Sequence, residues 1–98
     1  MAKTLRWTKR AKAELIAILE FWTEHNQSPS YSNELAQKID DCLALICDNS
    51  SIGKKTDDPA IRITYVDHFL IYYEILKHDI LIITIFDGRR NPFDLKLK

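Results

Sequence analysis

The chain has 98 residues, of which 46% are hydrophobic and 29% charged, and its 14 basic and 14 acidic side chains cancel at pH 7. A chain of this length forms one modest core, so we expect a single domain over residues 1–98. No apolar run approaches the roughly 20 residues of a membrane span, and no signal-peptide region follows the basic N-terminus. These absences predict a cytoplasmic protein, and the neutral charge disfavours a function built on phosphate contacts.

The first half of the sequence predicts a short strand followed by two helices. Residues 3–7 suit an edge strand, and Thr8 is a suitable N-cap for a helix that ends near His25. The apolar stripe of this helix contains Ala11, Leu15, Ile18, Leu19 and Trp22. Ser28 is a candidate cap, and Pro29 suits the first turn, of a second helix that ends near Asp48. Its apolar stripe contains Leu35, Ile39, Cys42, Leu43 and Ile46. Because the connection is short, the two helices should form an antiparallel hairpin.

The second half of the sequence predicts a loop and three strands. Residues 49–59 are polar and contain a glycine and a proline, which indicates the loop. In residues 61–66 the side chains alternate, which predicts a half-buried strand with Arg62 on its polar side. A tight turn at residues 67–68 leads to a strand at 69–76, and a turn at 77–79 leads to a nearly all-apolar strand at 80–86. The predicted order is β-α-α-β-β-β, an α+β fold in which a helical hairpin packs on an antiparallel β-sheet.

The two cysteines predict neither a disulfide nor a metal site. Cys42 and Cys47 lie five residues apart in the second predicted helix, so their side chains diverge and cannot easily pair. No histidine or second cysteine pair lies at ligand spacing. We therefore expect free thiols in or near the core, and no metal or other cofactor.

Several segments of the chain together suggest a family. They are Thr8-Lys9-Arg10-Ala11, Ser28-Pro29-x-Tyr31, Gly53, AIRITYVDHFLIYYEI at residues 60–75 and ILIITIFDGRRNP at residues 80–92. In this order, and with the predicted element order, they resemble the RelE/ParE superfamily, the plasmid stabilisation family of toxins from bacterial type II toxin–antitoxin systems. The resemblance covers nearly the whole chain. It implies a toxin that a cognate antitoxin neutralises, in a toxin–antitoxin hetero-oligomer.

The RelE branch of the superfamily contains ribosome-dependent messenger RNA endoribonucleases. Such an enzyme needs positioned cations and a proton-transfer group around the scissile phosphate. The resemblance places Leu70 where RelE-like enzymes carry an arginine, and Asp87 where some relatives carry a histidine. Only Arg62, Arg89 and Arg90 match the expected cations, so the catalytic set is incomplete.

The ParE branch, whose members poison DNA gyrase, resembles this chain more closely. Arg62, His68-Phe69-Leu70-Ile71-Tyr72 and residues 83–89 follow its pattern, with Asp87 in place of the usual histidine. The leading prediction is therefore a ParE-like toxin that inhibits gyrase, which favours a non-enzymatic poison but leaves the enzyme question open. One alternative is a RelE-like nuclease in which Arg62, Arg89 and Arg90 carry the electrostatic work. Another is an inactive family member that only binds its antitoxin.

Five residues are candidates for contact with the target. They are Arg62, His68, Asp87, Arg89 and Arg90. Four of them also have a structural interpretation, because Arg62 could pair with Asp67 or Glu74, and His68 could be an ordinary exposed turn residue. Arg89 and Arg90 could form a solvated basic turn after Gly88.

The predicted sheet is apolar on both faces, so it needs a second cover besides the helices. The resemblance implies that an antitoxin segment folds onto the toxin, and the candidate contacts are Trp22, Phe69, Ile71 and Tyr73. The alternative cover is the C-terminal segment that contains Phe93, Leu95 and Leu97. Both covers can operate together.

Overall fold

The computed structural model describes residues 2–89 and confirms the predicted α+β order. The elements are β1 (Thr4–Trp7), α1 (Lys9–Asn26), α2 (Ser30–Asp48), a 3₁₀ turn (Ser50–Ile52), β2 (Lys54–Lys55), β3 (Ile61–Val66), β4 (Phe69–Ile75) and β5 (Asp79–Asp87). The short strand β2 was not predicted, because its two lysines carry no apolar alternation. The predicted cover formed by Phe93, Leu95 and Leu97 lies outside the described residues. No helix in residues 2–89 is long and apolar enough to cross a membrane.

Both helices begin where the sequence indicates. The Thr8 hydroxyl accepts a hydrogen bond from the Ala11 N–H at 3.0 Å, as an N-cap does. Pro29 already has helical backbone angles (φ −80°, ψ −1°), and the Ser28 hydroxyl accepts from the Ser30 N–H at 3.2 Å. The regular helix begins at Ser30 with Pro29 as its N-cap residue and no side-chain cap, so the predicted cap at Ser28 was wrong, although the helix starts at the predicted place.

The sheet has the strand order β1-β5-β4-β3-β2 and is mixed, which corrects the prediction of an antiparallel sheet. Strands β2 to β5 pair antiparallel, whereas β1 pairs parallel to β5. The two helices and three further strands lie between β1 and β5 in the sequence. Because no tight turn joins β1 to β5, the two strands are free to pair in parallel. The β3–β4 turn is the predicted tight one, with Asp67 in the left-handed region at φ 53°.

The start of α1 covers the edge of β5 that β1 leaves unpaired. The Thr8 hydroxyl donates to the Ile83 carbonyl at 3.0 Å. Farther along, the Glu14 carboxylate accepts from the Thr84 hydroxyl at 2.6 Å and from the Ile85 N–H at 3.3 Å. Polar groups of the buried end of β5 are thereby satisfied by a helix, not by another strand.

The core lies between the helical hairpin and one face of the sheet. The buried side chains that form it are Ala11, Leu35, Ile39, Leu43, Ile46, Val66, Phe69, Ile71, Tyr73, Ile80, Ile82 and Ile85. Both predicted helical stripes face this core, and Cys42 and Cys47 are half-buried free thiols at its border. The prediction that Arg62 lies on the polar, outward face of β3 was wrong. Arg62 and Thr64 pair with the buried Tyr73 and Ile71, so they lie on the face of β3 that the helices cover.

Candidate functional site: a charged and aromatic cluster at one end of the sheet

Charged and aromatic side chains meet at the end of the sheet where the β3–β4 turn lies beside the end of β5. The cluster consists of Trp22, Tyr31, Lys38, Asp67, His68, Asp87 and Arg89, and we call it the sheet-end cluster. The antiparallel register places Phe69 opposite Asp87, so the turn residue His68 and the segment after β5 are brought side by side. The helical hairpin supplies the remaining members.

Asp87 holds the side chain of Arg89 in a fixed position. The Arg89 guanidinium donates from Nη2 to Oδ2 at 2.7 Å and from Nε to Oδ1 at 3.0 Å, and the Arg89 N–H also donates to Oδ1 at 2.9 Å. These hydrogen bonds lower the pKa of Asp87 from 3.8 to about 2. Because the Arg89 side chain is still 63% exposed, the pair presents an oriented cation to a partner at neutral pH.

His68 lies between Asp87 and the aromatic side chains of the cluster. Its Nε2 atom is buried, is 3.7 Å from Asp87 Oδ2 and has no hydrogen-bond partner among residues 2–89. Its ring centroid is 4.3 Å from that of Phe69 and 6.2 Å from that of Trp22. His68 is therefore half-buried in the cluster and is not the ordinary exposed turn residue that the sequence also allowed.

Asp67 forms the second charged contact of the cluster. Lys38 donates to Asp67 Oδ1 at 3.2 Å, and the Tyr31 hydroxyl donates to Oδ2 at 3.1 Å. Burial alone would raise the pKa of Asp67, but these two hydrogen bonds and the positive charge of Lys38 lower it. Lys38 and Asp67 were not among the predicted site residues, although the seven-residue spacing of Tyr31 and Lys38 puts both on one side of α2.

Arg62 lies away from the sheet-end cluster and supports the loop after α2. Its Nη1 atom donates to the carbonyls of Ser51 at 3.0 Å and Gly53 at 2.7 Å. The predicted pairing with Asp67 or Glu74 was therefore wrong, because the arginine turns toward the loop on the helix-facing side of β3. Val66, at the end of the strand, is four positions after Arg62, which is a distance of about 13 Å at the usual rise of a strand.

The loop that Arg62 supports is also fixed by a buried tyrosine. The Tyr73 hydroxyl donates to the Ser50 carbonyl at 2.8 Å and accepts from the Gly53 N–H at 3.0 Å. A Cβ at position 53 would collide with the Tyr73 hydroxyl, so only glycine permits this close approach. Arg62 and Tyr73 together serve the fold.

Three of the predicted antitoxin contacts lie in the core. Phe69, Ile71 and Tyr73 have exposures of 1%, 0% and 0%, so a partner cannot reach them while the helices stay in place. Their assignment to an accessible face was wrong, because the alternate residues of β4 face outward. Trp22 is half-buried and reaches the surface beside Asp87.

The sheet face that neither helix covers carries a separate set of apolar side chains among residues 2–89. These are Ile63, Tyr65, Leu70, Tyr72 and Phe86, and we call them the open-face patch. Tyr65 is 52% exposed, and the rings of Tyr72 and Phe86 are 5.8 Å apart. A depression of about 590 Å³ adjoins the patch between Tyr72 and the loop at residues 55–58.

The described residues offer binding surfaces but no assembled reaction centre. No group of three or more histidine, cysteine or acidic side chains within residues 2–89 could hold a metal ion. Arg89 is in the sheet-end cluster, Arg62 is in the loop support, and Arg90 lies outside the described residues. The described residues therefore form a small mixed α+β domain with a charged cluster at one end of its sheet and an apolar patch on one face.

The family comparison agrees with this architecture. A family model described as the ParE toxin of type II toxin-antitoxin system, parDE, matches residues 5–92, so the chain belongs to the ParE toxin family. A solved structure described as the chromosomal ParDE TA system from P. aeruginosa is similar in fold, with a TM-score of 0.72. It is 21% identical, and the match covers 88% of this chain and 96% of that chain. A comparison with curated proteins gave no match.

Proposed function

We propose that this toxin inhibits DNA gyrase through the sheet-end cluster and that a cognate antitoxin neutralises it. The observation that carries the proposal is the position of the arginines. Arg62 donates to two loop carbonyls, whereas Arg89 donates to both carboxylate oxygens of Asp87 at the surface. A nuclease needs its cations to converge on one phosphate, but a protein-binding surface needs one oriented, exposed charge.

The cluster has the composition of a protein-recognition site. Trp22 and Tyr31 supply aromatic surface, with ring centroids 5.3 Å apart, next to the exposed guanidinium of Arg89. Tryptophan, tyrosine and arginine are the residues that most often dominate binding energy in protein interfaces. The zero net charge also suits a protein target better than ribosomal RNA.

The antitoxin is proposed to cover the open-face patch. An apolar sheet face that no helix of the described residues covers, beside a depression, is a surface on which a partner segment can fold. The half-exposed ring of Tyr65 would be its outermost anchor. This assignment replaces the three core residues among the predicted antitoxin contacts and keeps Trp22 as a contact at the border of the cluster.

A supercoiling assay with two matched variants tests the proposed site. Arg89→Ala removes the exposed cation and should weaken gyrase inhibition by about tenfold or more. Arg6→Ala is the control, because the Arg6–Asp79 pair has side-chain exposures of 66% and 25%, against 63% and 23% for Arg89–Asp87. Asp79 and Asp87 mark the two ends of β5, so the control pair lies at the other end of the strand.

The two variants distinguish a local contact from a general effect of charge. If Arg89→Ala weakens gyrase inhibition and Arg6→Ala does not, the result supports the cluster as the gyrase-binding site. Equal loss with both variants would show that the inhibition depends only on positive charge, and full inhibition by Arg89→Ala would remove Arg89 from the site.

A further inference from the structure

The outward face of α1 carries an ordered distribution of charge. Lys9 and Lys12 are exposed at its N-terminal end, and Glu20 and Glu24 are exposed near its C-terminal end. With 3.6 residues per turn, Lys9, Glu20 and Glu24 project from the side of the helix opposite its apolar stripe, whereas Lys12 lies beside Leu19 at the border of the stripe. The face is therefore basic at one end and acidic at the other.

This order of charges is unfavourable for an isolated helix. The N-terminus of a helix carries partial positive charge and the C-terminus partial negative charge, so lysines at the start and glutamates near the end oppose the dipole. The first turn of α1 contains no acidic residue. Glu20 and Glu24 also form a like-charge pair at i, i+4, which destabilises a helix further.

The middle of the same face is small and apolar. Ala13, Ile16 and Ala17 are all exposed there, with Ile16 at 48%. Phe21 continues this apolar surface at its flank and is 56% exposed. Alanines permit the close approach of a second helix, and an exposed isoleucine gives such a contact apolar area to bury.

We propose that a second copy of this chain docks on α1, with the two α1 helices antiparallel across a twofold axis. An axis between Ile16 and Ala17 places Lys9 opposite Glu24 of the partner copy and Ala13 opposite Glu20. The same operation repeats both pairs on the other side of the axis. An isologous interface must be self-complementary in this way, and a parallel pairing would instead place like charges together.

The pairing offsets the unfavourable order of charges along α1. Each basic N-terminal end meets the acidic end of its partner, and the two helix dipoles run in opposite directions. One helix face is smaller than the interface of an obligate dimer, so the association is weak and its extent depends on protein concentration. The inference does not rest on gyrase as the target.

A charge-swap series on the full-length toxin tests the proposal by sedimentation equilibrium. We expect Lys9→Glu and Glu24→Lys, each alone, to weaken self-association by about tenfold, because each substitution places like charges together twice in the dimer. The double variant Lys9→Glu/Glu24→Lys should restore it to within about threefold of the parent. Each substitution also agrees better with the helix dipole, so a lost dimer cannot be attributed to a weakened helix.

The rescue by the double variant decides between the outcomes. A parent protein that stays monomeric up to about millimolar concentration would overturn the proposal. A dimer that ignores both single substitutions would place the interface elsewhere. A monomeric parent whose antitoxin binding is lost on Lys9→Glu would assign this face to the antitoxin and also overturn the proposal.

Discussion

Removing the hydroxyl group of Tyr73 should lower the free energy of unfolding substantially, although the substitution deletes a single oxygen atom. Tyr73 is 0% exposed, and its hydroxyl bridges the Ser50 carbonyl and the Gly53 N–H. Tyr73→Phe keeps the ring in the core but leaves the buried Gly53 N–H without its partner. The variant also releases one of the two groups that fix the loop after α2.

The magnitude follows from the two hydrogen bonds that are lost. Each contributes about 0.5 to 1.5 kcal/mol net, and a buried donor left unsatisfied costs about 1 to 3 kcal/mol. We therefore expect Tyr73→Phe to lower the free energy of unfolding by about 2 kcal/mol. For a domain of this size, that loss should lower the Tm by roughly 8 to 16 °C.

Tyr72→Phe is the matched control for this prediction. Tyr72 is the next residue of β4, is half-buried on the opposite face, and has no hydroxyl partner among the described residues. Removal of the Tyr72 hydroxyl should change the free energy of unfolding by less than about 0.5 kcal/mol. Both variants can be compared by urea unfolding followed by circular dichroism. Equal, small effects would refute the assigned role of the Tyr73 hydroxyl.

Three further predictions concern the edge of β5, the sheet-end cluster and the open-face patch. Glu14→Ala should lower the free energy of unfolding, measured in urea, by about 1 to 3 kcal/mol, because it leaves polar groups at the end of β5 unpaired. An unchanged free energy of unfolding would mean that water replaces the carboxylate. The folded pKa of Asp87, about 2, lies below its ordinary 3.8, so the stability from its pairing with Arg89 should be present above about pH 4 and lost as the pH falls toward 2. Asp87→Asn should flatten that part of a stability–pH profile, and an unchanged profile would contradict the pairing. Tyr65→Asp should weaken antitoxin binding about tenfold, as measured by calorimetry. The control Leu45→Asp, at a 62% exposed position on α2, should leave binding unchanged. Equal losses of affinity in the two variants would count against the open-face patch.

The fold was predictable where the signal is local. The helical stripes and the cap at Thr8 depend on residues within one or two turns and were confirmed, whereas Pro29 and not Ser28 is the N-cap residue of α2. The parallel pairing of β1 with β5 was not predictable, because it joins segments more than 70 residues apart. The sidedness of β3 was misjudged because apolar residues occupy both of its faces. The core can accept Arg62 at its border only because loop carbonyls satisfy the guanidinium.

The candidate site was predictable in part. The resemblance singled out His68, Asp87 and Arg89, which the structure brings together. It could not show that Asp67 contacts Lys38 on α2, because that contact spans 29 residues and depends on how the helix packs. Nor could it show that the partners of Arg62 are backbone carbonyls, since carbonyls leave no mark in a sequence.

The most direct test of the proposed function compares the two candidate targets with the same purified toxin. The toxin is incubated with gyrase and plasmid DNA, and in parallel with translating ribosomes and messenger RNA. We expect cleaved DNA to accumulate with gyrase, the antitoxin to suppress it, and the messenger RNA to stay intact. Cleavage of the messenger RNA without any effect on gyrase would contradict the account and favour the nuclease alternative.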